Sequence, residues 1–138
     1  DADECSRLYL GDPYAGGSCH TFGAALDHRL EQRATTYTQG CVSTSLDRLV
    51  ERGVVPVPTH IKIDVDGLEH KVIEGCGGVL QDRRVRSVLV EINTNLEPHR
   101  EIIQKMAALG FRYSDAQVEI ALRKTGPFAG VGNHVFSR

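Results

Sequence analysis

The sequence predicts an α/β fold in a single domain over residues 1–138, with parallel strands, crossover helices and a closing antiparallel hairpin. Three observations carry that expectation. Between residues 60 and 110 strand-like and helix-like hydrophobic periods alternate, which builds a parallel sheet with right-handed connections. After residue 110 two further strand patterns follow, residues 117–123 (QVEIALR) and 131–136, and they are expected to pair antiparallel. A chain of 138 residues is long enough for one hydrophobic core.

The elements follow in order. Residues 6–10 read as a short strand, and the glycine-containing stretch 11–24, GDPYAGGSCHTFGA, as a loop. Residues 35–42 are rich in Thr, Tyr and Val and read as a strand. Thr44, with Asp47 three residues later, is placed to cap a helix whose buried side is Leu46, Leu49 and Val50. Gly53 ends that helix, and residues 54–58 (VVPVP) are too proline-rich for a central strand, so they form an extended connector. Residues 60–65 alternate apolar with polar and read as a strand, with Gly67 permitting a sharp exit. Leu68, Val72, Ile73, Cys76, Val79 and Leu80 then share one face of a helix. Gly75, Gly77 and Gly78 read as a helix end or close packing, not as a nucleotide loop. Residues 87–92 are a second apolar strand, and Pro98 opens a helix carrying Ile102, Ile103, Met106 and Leu109, closed by Gly110.

Composition narrows the function classes. With 41% hydrophobic and 25% charged residues and a formal net charge of -2, the chain reads as an ordinary globular protein. A near-neutral balance argues against nucleic acid, which requires a concentrated basic surface, and Arg83, Arg84 and Arg86 read as a solvated loop. No stretch approaches the roughly 18 apolar residues that cross a bilayer, so no membrane contact and a cytoplasmic location are expected. Cys5, Cys19, Cys41 and Cys76 form no CxxC pair, and no histidine stands at finger spacing, so a zinc site is not expected. Reduced thiols are the simpler reading, disulfides staying open, with Cys76 in the core. The six histidines form no HxxH or HExxH pair, and each is expected at the surface or as a cap, His70 facing solvent from its helix. Neither GxSxG nor GxxxxGK[ST] occurs.

The chemistry concentrates at residues 61–75, IKIDVDGLEHKVIEG. There a strand delivers Asp64, Asp66 and Glu69 to one turn at its carboxyl end, the edge where open α/β sheets bind ligands. Glu91, in VLVEIN, ends the neighbouring strand. Adjacent strands lie about 4.8 Å apart, so Asp64 and Glu91 at matching heights can share a proton, a water or a divalent ion. Glu69 has a structural reading as well, because an acid in a first helical turn gains about 0.3 to 1 kcal/mol from the helix dipole.

The wording IKIDVDGLEHKVIEG, followed by SVLVEI, resembles the FkbM-type S-adenosylmethionine-dependent methyltransferase family. Upstream, VSTSLDRLVERG is similar to that family's segment before the acidic strand, and GNHVFSR to its closing strand, so the resemblance covers most of residues 42–138. It implies a partial Rossmann-like methyltransferase sheet, S-adenosylmethionine as cofactor, and methyl transfer to a hydroxyl of a small-molecule or sugar acceptor. In such a reaction the acceptor loses a proton to a carboxylate within about 3 Å, and Asp64 is the first choice for that base. Glu91 would orient the acceptor or support Asp64, while Asp66, Glu69 and Asn93 would hold substrate. Two departures matter. The family has Glu where Asp66 stands, and its glycine-rich cofactor loop belongs to a region this chain lacks, so cofactor-binding residues are unassigned and the isolated chain is expected to be inactive. An exposed sheet edge, left by missing strands, predicts homo-oligomerisation. The DVDG turn also looks like the first motif of haloacid-dehalogenase-type phosphatases, although Leu68 stands where that family has Thr. DxD resembles a glycosyltransferase metal motif, and a non-catalytic association domain is a third alternative.

Overall fold

The computed structural model describes residues 3–11 and 19–138, and its strands form two sheets of three. In the first, β1 (Glu4–Leu10) lies between β2 (Thr21–Phe22) and β3 (Tyr37–Ser43), all antiparallel, with β1 and β3 in register from Glu4↔Ser43 to Leu10↔Tyr37. The expected loop over residues 11–24 falls partly outside the described residues; within the described part, β2 is a short strand. Residues 44–45 then lead into α1 (Leu46–Glu51), whose N-cap is Ser45, accepting from Arg48 N at 3.2 Å. Thr44, expected as the cap, instead donates to Asp3 at 2.6 Å. Asp47 is also used differently: its carboxylate accepts from Gly78 N and Val79 N, at 2.8 and 2.7 Å, capping a short 3-10 turn at Val79–Gln81.

The second sheet has the order β4 (His60–Ile63), β5 (Ser87–Asn93), β6 (Val131–Ser137), with β4 parallel and β6 antiparallel to β5. Helices α2 (Glu69–Glu74) and α3 (Glu97–Ala108) link the strands. Period-two alternation puts Val88, Val90 and Ile92, each 0% exposed, on one face of β5, where they join Ile63, Phe136, Ile73, Leu80, Ile102 and Met106 in the core. Leu89, Glu91 and Asn93 consequently turn to the opposite face. The helix expected to run from Leu68 to Leu80 is broken: α2 stops before Gly75, and Val79 and Leu80 reach the core from the 3-10 turn. Cys76 is in the core as expected, and burial pushes its thiol up to about 11. His99 and His134, expected at the surface, are both buried.

The closing hairpin is corrected by the structure. Residues 117–123 are not a strand; α4 (Asp115–Ala121) occupies most of that stretch. Ser114 caps it, accepting from Gln117 N, and the S-x-x-Q spacing of a capping box outweighs the apolar alternation that pointed to a strand. β6 pairs with β5 instead. Its outer edge is then covered piecemeal: Gln117 donates to Asn133 O at 3.0 Å and accepts from Val135 N at 3.1 Å, Arg123 N donates to Val131 O, and the Arg112 and Ser137 backbones bond reciprocally. A side-chain amide thus substitutes for a ladder pair, and an edge treated this way resists strand addition. β4 is the sheet's other edge strand.

Two stability predictions arise here. A Cβ at Gly132 would stand 2.9 Å from Leu122 Cα and 3.2 Å from Ala121 O, both backbone. Gly132→Ala should therefore cost about 1–3 kcal/mol, the range for overpacking, in urea denaturation; an unchanged midpoint would show that α4 can move off β6 freely. His134 is 2% exposed, donates from Nδ1 toward Gly132 O at 3.2 Å and packs against Tyr113 and Phe136, and its burial lowers its pKa. Unfolded, it titrates near 6.5, so the native state binds fewer protons below that pH, and its stabilising contribution, present above about pH 6.5, is lost as the pH falls. His134→Phe should flatten the slope of stability between pH 7 and 5. It should not abolish it, because burial lowers the pKa of His70 too. A slope identical to wild type would contradict this account.

Candidate active site

The acidic turn after β4 is built by a buried polar network. Asp66 has φ +54° and Gly67 φ +113°, conformations that Asp tolerates and glycine favours, so the chain reverses sharply between strand and helix. Glu69, 1% exposed, holds the reversal: Oε1 accepts from Val65 N and Oε2 from Gly67 N, both at 3.0 Å. His99, also 1% exposed, completes it. Its Nδ1 accepts from Asn93 N at 3.0 Å, which places the ring hydrogen on Nε2, 3.0 Å from Gly67 O and 3.3 Å from Glu69 Oε2. The ends of β4 and β5 and the first turn of α3 are thereby tied together by one carboxylate and one imidazole.

Among the residues expected to hold substrate, Glu69 is thus engaged with backbone N–H groups. Asn93 is 5% exposed, donates to His28 O at 3.3 Å and accepts from Asn95 N at 3.1 Å. Asp66 accepts from Cys19 N at 3.0 Å, fastening the segment before β2 to the turn. His70, expected to face solvent, is half-buried, and its Nδ1 has no partner among the described residues.

β4 and β5 pair Ile63 with Val90, so Asp64 and Glu91 stand one step further along at matching height, on the face away from the core. Their environments differ. The Asp64 side chain is 40% exposed and paired with Lys62 at 2.9 Å, whereas that of Glu91 is 17% exposed and 3.3 Å from Arg123. Burial raises the pKa of Glu91, with the negative charges of Asp64, Glu69 and Asp66 adding to it and Arg123 opposing. Beside Glu91 runs a narrow cleft walled by His28, Gly67, Asn93, His99 and Phe128, with room for about 10 Å³, barely one water.

Lys62, His99 and Arg123 were not singled out from the sequence. Lys62 had a signal, since it lies two residues from Asp64 on the same strand face. His99 follows a proline in the first turn of a helix, where nothing marks burial, and Arg123 belongs to the stretch misread as a strand.

The described residues do not fit a bound S-adenosylmethionine. Ligand sites for molecules of that size run to about 300–1,000 Å³, far more than the cleft offers. A larger hollow of about 710 Å³ lies on the open face of the first sheet, but it is lined by Cys5, Arg7, Tyr9 and Val42 and no carboxylate. Among the described residues no three or more His, Cys, Asp or Glu side chains are grouped to hold a metal ion, and no helix is long and apolar enough to cross a membrane.

A half-buried carboxylate near a strand's carboxyl end, beside a turn locked by a second acid, lies at the edge where open α/β sheets bind ligands. The chain belongs to the FkbM methyltransferase family: the family's methyltransferase domain model matches residues 1–113. The match begins well before the motif-bearing region and stops before α4 and β6, so Arg123 and Phe128 lie outside it. The chain is similar to the hexuronic acid methyltransferase AglP of Haloferax volcanii, with 44% identity over 52 residues, 38% of this chain and 21% of that protein. No solved structure matches.

Proposed function

We propose that this chain is the acceptor-side part of a longer methyltransferase that moves a methyl group from S-adenosylmethionine to an oxygen of a small molecule or sugar. The observation that carries the reading is Glu91. An acceptor hydroxyl must give up its proton as its oxygen attacks, and a base works best when its pKa approaches the working pH. Glu91 is shifted in that direction by burial, whereas Asp64 is exposed and neutralised by Lys62. The geometry therefore favours Glu91 as the proton acceptor and Asp64 as the group that orients the acceptor, the reverse of the order the sequence suggested. Glu69, Asn93 and His99 position the turn. S-adenosylmethionine would supply the methyl group, and its binding falls to residues beyond those described.

The acceptor class follows from the likeness to a hexuronic acid methyltransferase, which favours a sugar bearing both hydroxyl and carboxylate groups. Incubating the longer protein with methyl-labelled cofactor and a panel of sugars and sugar acids tests this. Label recovered as an O-methyl product is expected; transfer to nitrogen or carbon alone, or none, would overturn it. Self-association through the β4 edge belongs to the same proposal, and a monomer in light scattering at high concentration would remove it.

A further inference from the structure

Arg123 is anchored at its backbone and loose at its guanidinium. Arg123 N donates to Val131 O at 2.9 Å and Arg123 O accepts from Gly130 N at 2.8 Å, so its Cα is pinned to the start of β6. Its side chain is 51% exposed, lies over the Phe128 ring at 5.4 Å from the centroid, and touches Glu91 through Nη2 alone at 3.3 Å. A guanidinium has five N–H donors in a planar fork suited to a carboxylate. Four of these have no protein partner among the described residues.

The neighbouring strand adds a polar group beside Glu91. Asn133 stands directly across from Glu91 in the β5–β6 register, so the two side chains leave the sheet on the same face. Its Oδ1 is buried and without a hydrogen-bond partner among the described residues. A buried acceptor left unpaired is uncommon, and a ligand hydroxyl could satisfy it where water does in the free chain. Lys62 approaches from β4 and Asp64 from just beyond it, Asp66 and Glu69 from the turn and α2, His99 from α3, and His28, its ring tilted against Phe128 with centroids 4.4 Å apart, lines the cleft. The site thus offers carboxylates and an orphan amide oxygen on one side and a spare guanidinium on the other.

We propose that Arg123 binds the carboxylate of an acidic hydroxy acceptor, exchanging its contact with Glu91 for the ligand's, while the acceptor's hydroxyl enters between Glu91 and Asn133. The proposal rests on the acceptor-side reading above and adds the residue that sets its specificity. Two features make the exchange feasible. The Arg123–Glu91 pair is solvent-exposed on one side and monodentate, the weaker kind of ion pair, whereas the Glu69–His99 latch behind it is buried. The cleft beside Glu91 is also too small as it stands to admit a sugar, and of Glu91's contacts the one to the exposed Arg123 is free to open. Losing Arg123 to the ligand would leave Glu91 more basic.

Glucuronate, glucose and methyl glucuronate ester, titrated separately into the isotope-labelled chain and followed by amide NMR, test this without any cofactor. Glucuronate is expected to shift Phe128, Val131 and Asn133 saturably, and the two neutral sugars to bind about tenfold or more weaker. Arg123→Gln should lose glucuronate by a similar factor and Arg123→Lys by less, while Arg84→Gln should bind like wild type. The dispersion of each spectrum reports folding independently. Equal binding of charged and neutral sugars, no binding of glucuronate, or wild-type affinity in Arg123→Gln would overturn the proposal. Carboxylate binding that persists when the longer protein fails to methylate would sink the methyl-transfer reading and leave this one standing.

Discussion

Glu69→Ala should lower the stability of the chain by about 2–5 kcal/mol in urea denaturation, because it removes the acceptor for the backbone N–H groups of the turn. Its two carboxylate oxygens accept from Val65 N and Gly67 N, and the imidazole of His99 stands beside them, with both side chains 1% exposed. Truncation would strand one buried donor, Gly67 N, and one part-buried donor, Val65 N, a buried donor costing about 1–3 kcal/mol when unsatisfied. Glu69→Gln should cost less, since one amide oxygen still accepts while the amide's own hydrogens oppose the second N–H. A midpoint for Glu69→Ala within about 0.5 kcal/mol of wild type, the usual range for surface changes, would mean that the turn is held by something else. Because the turn presents Asp64 and adjoins Glu91, the same substitution should also disorganise the site.

Glu91→Gln should do the opposite. In the longer protein it should reduce turnover by about 10²–10⁴-fold, the contribution of a positioned general base. It should not destabilise the chain near neutral pH. The sign follows from linkage: burial raises the pKa of Glu91 above its unfolded value, so its favourable contribution is complete below about pH 4.3 and fades as the pH rises through the folded value. At pH 7 the native state holds a charge it disfavours, and a neutral glutamine removes that cost. Loss of activity with equal or higher stability separates a functional acid from a structural one. Asp64→Asn, at an exposed carboxylate already paired with Lys62, should reduce turnover by less.

The parallel pair and α3 were legible in the sequence because β5 is a short apolar run, with Val88, Val90 and Ile92 inward, and α3 keeps a helical period. The acidic turn was legible from Gly67 and the clustered acids, although β4 stops at Ile63, two residues before the alternation of residues 60–65 ends. The last quarter was not. QVEIALR alternates well enough for a strand, but Ser114 caps a helix there by accepting from Gln117 N, and Ile120 is 87% exposed, so the apolar residues that suggested a buried face do not have one. Nor does any local pattern distinguish Glu69 or His99 from surface residues. Their burial depends on each other and on backbone groups of β4, β5 and the turn, partners up to 32 residues apart. Asp64 and Glu91 were found together but ranked by position alone; exposure and the partners Lys62 and Arg123, which rank them differently, are properties of the folded chain.

The central claim is that Glu91 takes the proton from the acceptor, and the pH dependence of kcat/KM in the longer protein tests it most directly. Wild type should show an acidic limb whose apparent pKa is raised from the ordinary glutamate value, and Glu91→Gln should lose both that limb and most of the rate. A Glu91→Gln enzyme with the wild-type rate and an unchanged acidic limb would contradict the account.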